Sequence, residues 1–154
     1  STGLDDDGAS PWFDEFFRSC EAVDGCDASR IKYIAFHDYG GNVSRIVQRA
    51  EGLQRRYGRQ VWITEFAIQK WDLPGLPNVT RDMQDKYMKE VLPALDACDA
   101  VFRYVWYTAR DRPQVNIDSG NLLKWNVTTP TLTSTGTIYK AHAAGAAASF
   151  GGGL

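Results

Sequence analysis

Short apolar runs alternate along this chain with longer segments whose apolar residues recur at helical spacing. The runs cover residues 31–36, 61–66 and 101–106, and they are rich in the β-branched and aromatic residues that strands favour. Between them, apolar residues recur every three or four positions over 43–57 and 80–97, which indicates helices with one buried face. This alternation predicts a parallel sheet with right-handed crossovers.

Capping residues predict where several of the helices begin and end. Ser10 followed by Pro11 predicts a first helix, with serine as its N-cap and proline at its first helical position. Gly58 ends the second helix. Pro93 is expected to kink or shorten the third helix, which Thr80 caps.

The remaining segments are rich in residues that break or leave regular structure. Residues 1–9 are predicted to form a loop or linker, and residues 68–79 and 108–137 to form loops. An Ala-rich helix is predicted over 138–148, inside an Ala/Gly-rich tail at 141–154. The structural core is therefore expected between these two ends.

Three strands do not close a barrel, which needs eight. They could form a small open sheet, but its edges would be exposed. The strand spacing and the length of 154 residues favour an α/β fold that is part of a TIM barrel. We expect one face of the sheet, with Ile34, Ile63 and Val105, to need cover from further polypeptide.

Composition excludes several function classes. The net charge is −2 with no block of like charges, which argues against nucleic acid as a partner. No apolar run approaches the roughly 18 residues of a membrane span. Two histidines and three scattered cysteines give no metal-ligand spacing, so we expect neither a metal nor a cofactor.

Cysteines and glycosylation motifs indicate a secreted protein. Cys20 and Cys26 are close enough to form a disulfide across a turn, which leaves Cys98 over. Three of the five asparagines begin Asn-X-Ser/Thr motifs, and this excess favours a glycosylated, extracellular chain. The first residue is Ser rather than Met, so we expect a chain that was processed or belongs to a longer product. The predicted glycosylation sites are Asn42, Asn78 and Asn126.

Polar and aromatic residues stand where the three predicted strands end. Glu65 closes the second strand, His37 and Tyr39 follow the first, and Trp106 ends the third. The carboxyl ends of parallel strands in such barrels are where catalysis takes place, so we predict that these side chains converge on a sugar-binding cleft. The alternative for Glu65 is a buried structural carboxylate paired with Arg103 or another base, and His37 could equally be a structural histidine.

These strand ends resemble a known family. The chain is similar to the carboxyl-terminal part of the Asl-type glycoside hydrolase catalytic core, glycoside hydrolase family 128, whose members are TIM-barrel enzymes acting on β-1,3-glucans. The resemblance spans about residues 10–140. The segments that show it are 12–17, the His-Asp-Tyr-Gly strand end at 33–40, the Trp-x-Thr-Glu-Phe strand at 61–67, the Arg-Tyr-x-Trp strand at 103–107, and 122–139.

The resemblance implies a retaining glycosidase with Glu65 as the nucleophile. It also implies substrate-binding roles for His37, Tyr39, Tyr104 and Trp106, with Trp106 stacking on a sugar face. Retaining chemistry needs a second carboxylate about 5–5.5 Å away as acid/base. The implied partner is a polysaccharide or oligosaccharide.

The sequence departs from the family pattern at two places. The Asn-Glu-Pro strand end that supplies the family's second carboxylate is absent, so the chain alone should be inactive and should need the remaining barrel half or another subunit. Asp38 replaces a family aromatic, which removes a sugar-stacking ring and adds a charge. The alternative function is therefore a non-catalytic carbohydrate-binding or structural module. Trp62 is expected in the core rather than at a ligand surface.

Overall fold

Three parallel strands form one sheet at the centre of the fold. The structure is a computed structural model that describes residues 10–69, 78–110 and 118–150. The strands lie side by side in chain order, each hydrogen-bonded in parallel to the next. They are β1 (Tyr33–Asp38), β2 (Gln60–Phe66) and β3 (Val101–Trp106). The predicted alternation of parallel strands with helices is confirmed.

Within the described residues, four helices connect and flank these strands. Two short 3₁₀ turns, Ala28–Arg30 and Asp118–Gly120, lie in the connections. The last helix begins four residues before its predicted start at 138, and the expected tail boundary at 140/141 falls within it. Segments 1–9, most of the predicted 68–79 loop, and 151–154 lie outside the described residues. The helices are α1 (Pro11–Ala22), α2 (Val43–Tyr57), α3 (Arg81–Asp96) and α4 (Ser134–Phe150).

The predicted capping residues delimit the helices. The Ser10 side chain accepts a hydrogen bond from the Phe13 amide at 3.5 Å, and Pro11 opens α1. Gly58 ends α2 with a left-handed φ of 66°, a conformation that glycine adopts without steric cost. Pro93 lies inside α3, which ends three residues later.

One face of the sheet packs against α2 and α3 and forms the core. Its strand residues alternate with exposed ones, as expected for a period of two. Burial of each large apolar side chain contributes about 1.5–3 kcal/mol, so this face is the main source of stability. Its fully covered residues include Ile34, Phe36, Val61, Ile63 and Phe66 from the strands and Ile46, Leu53, Val91 and Leu95 from the helices.

The opposite face of the sheet, which we call the open face, shows large apolar side chains to solvent. Tyr33, Trp62, Phe102 and Val105 are 36–48% exposed there. The rings of Tyr33 and Phe102 stack with centroids 4.1 Å apart. An apolar sheet face of this kind is typical of a surface that another layer covers.

The strand registers place three residues on faces other than those predicted. We expected Ile34 and Ile63 on the uncovered side, but both are buried under the helices, at 2% and 0% exposure. Trp62, expected in the core, lies on the open face. The prediction was wrong because alternation fixes which residues share a face but not which face meets the helices.

The predicted disulfide is present. Cys20, in the last turn of α1, is bonded to Cys26 with their Cα atoms 5.3 Å apart. Cys98 has a free, buried thiol. In the parts of the chain that the structure describes, no helix combines the length and apolar character needed to cross a membrane.

Candidate active site

A β-bulge near the end of β2 turns Glu65 to the open face. The register pairs Phe36 with Ile63 and then His37 with Glu65, so Thr64 is an extra residue on β2. Such a bulge redirects the side chains beside it. Glu65 and His37 consequently lie next to each other, with their side chains 34% and 37% exposed.

The Glu65 carboxylate is oriented by two residues of the β1 end. The Tyr39 hydroxyl donates a hydrogen bond to Glu65 Oε2, and His37 Nδ1 lies 3.5 Å from the same oxygen. Among the described residues, none hydrogen-bonds Oε1. The alternative partner, Arg103, instead lies over the Phe102 ring at 5.0 Å.

Tyr107 adds an aromatic wall to this group. Its amide donates to the carbonyl of Phe66 at 3.0 Å, which holds the chain after β3 against the end of β2. Its ring meets the ring of Tyr39 edge-on, with centroids 5.8 Å apart. We call Glu65, His37, Tyr39 and Tyr107 the Glu65 cluster. Its rings and carboxylate lie at the carboxyl edge of the sheet, where the sequence predicted the site.

Trp106 and Tyr104 lie on the other side of the sheet. Trp106 is 3% exposed, packs on Phe66 at 5.1 Å between ring centroids, and donates from Nε1 to the Gly120 carbonyl at 2.8 Å. The Tyr104 hydroxyl donates to Asp96 of α3, and burial raises the pKa of Tyr104. The structure therefore does not bring these two rings to the Glu65 cluster. Residues at the same strand end need not lie on the same face of the sheet. Val105, between Tyr104 and Trp106, lies on the open face, so its two neighbours lie on the helix side.

Asp38 also points away from the Glu65 cluster. Its carboxylate is fully buried on the helix side, where it lies 2.8 Å from an Arg49 nitrogen and 3.6 Å from Arg45 Nε. It also accepts the amide hydrogen of Gly40 at 3.0 Å. The expectation that this residue adds a charge to the sugar-binding side is thus corrected. Asp38 is part of a buried ion pair.

The three predicted glycosylation sites are accessible. Asn42, Asn78 and Asn126 are all exposed. The side chain of Asn42 also caps α2 by accepting the Arg45 amide at 3.0 Å. Asn126 has a left-handed φ of 55° in the loop before α4. Their exposure is compatible with modification.

Tyr107 is a site residue outside the predicted substrate-binding set of His37, Tyr39, Tyr104 and Trp106. The pattern offered Trp106 and Tyr107 as neighbours at one strand end, and the choice between them depends on the register of β3. Alternation counted along β3 from the half-buried Val101 does not decide it, because the pairing of β3 with β2 is irregular between Ile63 and Phe66. What points to Tyr107 in the sequence is its position directly after Trp106, the last residue of β3.

Sequence and fold comparisons define the class of protein. A family model described as the glycosyl hydrolase catalytic core matches residues 1–139. The chain belongs to this family. Alkali-sensitive linkage protein 1 of Schizosaccharomyces pombe is 30% identical over 112 residues, which are 73% of this chain and 19% of that protein.

The solved structures that this chain resembles are enzymes of glycoside hydrolase family 128. A subgroup II endo-β-1,3-glucanase from Pseudomonas viridiflava is 32% identical with a TM-score of 0.63, over 83% of this chain and 46% of that one. A curdlan-specific exo-β-1,3-glucanase of subgroup III from Blastomyces gilchristii, solved with glucose, is 28% identical with a TM-score of 0.57, over 86% and 50%.

A subgroup I endo-β-1,3-glucanase from Amycolatopsis mediterranei, solved with laminaritriose, shares the fold. Its TM-score is 0.67 at 23% identity, over 85% of this chain and 52% of that one. The chain thus spans about half the length of these solved enzymes.

Proposed function

We propose that this chain is the carboxyl-terminal part of a retaining β-1,3-glucanase. The single observation that supports this best is the Glu65 cluster, a partly exposed carboxylate held by a phenol and an imidazole at the carboxyl edge of a parallel sheet. The related solved enzymes are described as endo- and exo-β-1,3-glucanases. The substrate proposed is therefore a β-1,3-linked glucan.

In this proposal Glu65 is the nucleophile. The hydrogen bond from Tyr39 fixes Oε2, so Oε1 is the oxygen that would attack the anomeric carbon. His37 would hydrogen-bond the sugar at the cleavage point. Tyr107 takes the sugar-stacking role first expected of Trp106, because its ring lies beside Tyr39 rather than under the sheet.

The proposed enzyme is completed by further polypeptide. The open face of the sheet is apolar, and the chain spans about half of each related enzyme. Three strands of a TIM barrel would show their inward side chains in this way, and the other strands would cover them. The same missing part would supply the acid/base carboxylate, so residues 1–154 alone are expected to be inactive.

The test is laminarin hydrolysis by the natural gene product that contains this chain. Glu65→Gln should lower kcat by at least about 10⁴-fold, because it removes the nucleophile while keeping its shape. Tyr39→Phe should lower kcat by a smaller factor. Glu51→Gln, an exposed carboxylate on α2 paired with Arg55, is the matched control and should leave the rate unchanged. Early products should keep the β configuration by NMR; α products would contradict the retaining mechanism.

The second candidate is a non-catalytic carbohydrate-binding module. Its supporting observation is that Glu65 is the one carboxylate the described residues place at this cluster, since Asp38 is buried on the other face. Such a module would bind laminari-oligosaccharides without cleaving them. If the natural product and its Glu65→Gln variant bind with equal affinity and neither hydrolyses laminarin, the binding module is the correct function.

We also propose an extracellular location with glycans at one or more of Asn42, Asn78 and Asn126. The disulfide supports it, because such bonds persist in oxidising compartments. Endoglycosidase treatment of the natural protein should raise its electrophoretic mobility. An unchanged mobility would contradict glycosylation.

A further inference from the structure

A buried ion pair lies at the end of β1 that carries two residues of the Glu65 cluster. His37 and Tyr39 both contact Glu65, whereas Asp38 between them is buried on the helix side. Asp38 Oδ2 accepts a hydrogen bond from Arg49 Nη1 at 2.8 Å. The ion pair therefore joins this strand end to α2 from the face opposite to the cluster.

The turn that follows β1 is fixed by the same group of charges. Asp38 Oδ1 accepts the Gly40 amide at 3.0 Å, as in a turn closed by an aspartate side chain. The guanidinium of Arg45 lies against Gly40, where an added Cβ atom would be 2.9 Å from Arg45 Nη1. Tyr39 stands between these two anchored residues, so its backbone cannot shift without breaking charge-assisted hydrogen bonds.

Backbone hydrogen bonds tie the same strand end to the chain that leaves β2. The Asp38 carbonyl accepts the Ala67 amide at 3.2 Å, and the Tyr39 carbonyl accepts the Gln69 amide at 3.0 Å. Ala67 follows Glu65 and Phe66, the last residues of β2. The backbone of Tyr39 is thus placed relative to Glu65 by these bonds together with the ion pair.

The Tyr39 side chain has little freedom once its backbone is placed. Tyr39 is 8% exposed, and its ring meets the rings of Tyr107 and His37 edge-on, with centroids 5.8 and 6.3 Å apart. Tyrosine has only two side-chain torsions, so the backbone and the surrounding rings determine where its hydroxyl lies. A backbone shift at Asp38 would consequently move this hydroxyl relative to Glu65.

We infer that Asp38 is a positioning residue, which sets the Tyr39 hydroxyl against Glu65 Oε2 through its bonds to α2 and to the Gly40 turn. This inference rests on the proposed function, in which Glu65 is the nucleophile. Asp38 acts from the opposite face of the sheet, so its effect reaches the reaction through Tyr39. A misplacement of about 1 Å can cost about a hundredfold in rate, which makes such a residue visible in kcat.

The experiment is a double-mutant cycle on laminarin hydrolysis by the natural gene product that contains this chain. Asp38→Asn should lower kcat about tenfold per folded molecule, with the folded fraction measured by circular dichroism. KM should change less than about twofold, because Asp38 does not face the sugar. In a Tyr39→Phe background, which has no hydroxyl to misplace, Asp38→Asn should lower kcat less than about twofold.

Leu53→Ala is the matched control for lost stability. Leu53 is fully buried on α2, one helical turn after Arg49, and its side chain makes no hydrogen bond or ion pair. Its kcat per folded molecule should therefore change less than about twofold. An equal loss in Leu53→Ala, or the same factor for Asp38→Asn in both backgrounds, would overturn the positioning role, while laminarin hydrolysis by the unmutated protein would leave the proposed function standing.

Arg45→Gln replaces Asp38→Asn if the latter does not fold. Arg45 is 35% exposed, and its removal keeps the pair between Asp38 and Arg49. Arg45→Gln should lower kcat by a smaller factor, and this loss should disappear in the Tyr39→Phe background. No loss, or an equal loss in both backgrounds, would then overturn the positioning role. If the unmutated protein does not hydrolyse laminarin, the proposed function fails and the positioning role fails with it.

Discussion

Removing the buried charge of Asp38 is expected to destabilise the protein strongly. The Asp38 side chain has no solvent exposure, and Arg49, 2.8 Å away, is 15% exposed. Asp38→Asn keeps the size of the side chain, so it creates no cavity. It removes the negative charge that faces Arg49 and Arg45, and it leaves two guanidinium groups near each other under the sheet.

The magnitude follows from the cost of removing one partner of a buried ion pair. Breaking a buried ion pair by removing one partner costs roughly 3–5 kcal/mol. Arg45 is 35% exposed and can be partly hydrated, so the lower end applies. In the asparagine variant the side-chain oxygen can still accept the hydrogen bond from the Gly40 amide, which also limits the loss of stability. We therefore expect about 3 kcal/mol, a large share of the 5–15 kcal/mol that typically stabilises a domain.

Urea denaturation of the natural gene product measures this difference at pH 7. Glu51→Gln is the control, because the Glu51–Arg55 pair is 3.7 Å apart and both side chains are about half exposed or more. That variant should change the unfolding free energy by less than about 0.5 kcal/mol. An Asp38→Asn loss below about 1 kcal/mol would refute the reasoning, since it would mean that Arg45 and Arg49 do not need the Asp38 carboxylate as their counter-charge.

Three further predictions concern stability. Replacing Cys20 and Cys26 by serine should lower the unfolding free energy by about 2 kcal/mol, because the bond closes a short loop; thermal unfolding with and without reductant checks it, and an unchanged midpoint would contradict it. The Arg56 guanidinium holds the pKa of Asp14 below its usual value, so Asp14→Asn should lower the unfolding free energy at pH 7. The difference in unfolding free energy between this variant and the unmutated protein should disappear as the pH falls below about 4 and Asp14 is protonated. A difference that does not change with pH would argue against the ion pair. Residues 1–154 expressed alone should show no cooperative thermal transition as a monodisperse monomer, since the open face would be hydrated; such a transition would refute the partial barrel.

Local signals in the sequence predicted the helices well because those signals act within a few residues. Ser10 and Gly58 satisfy backbone groups or turn the chain at the helix ends regardless of what packs nearby. The start of α4 was missed by four residues, because Ser134 lies in a Thr-rich stretch that reads as loop. The hydrogen bond from Thr135 to Asp85 of α3 holds that first turn in place, and a contact between residues 50 positions apart has no local signature.

The sequence by itself determined the family, the three parallel strands, the disulfide and the strand ends at which the Glu65 cluster lies. Periodicity, caps and motif spacing are properties of neighbouring residues, so they can be read along the chain. Tertiary structure alone decided which face each side chain takes. The extra residue Thr64 turns Glu65 to the open face, Trp106 and Asp38 point to the helices, and Tyr107 reaches Tyr39. Strand alternation fixes relative sides only, and the absolute side is set by a bulge and by the helices that pack on one face.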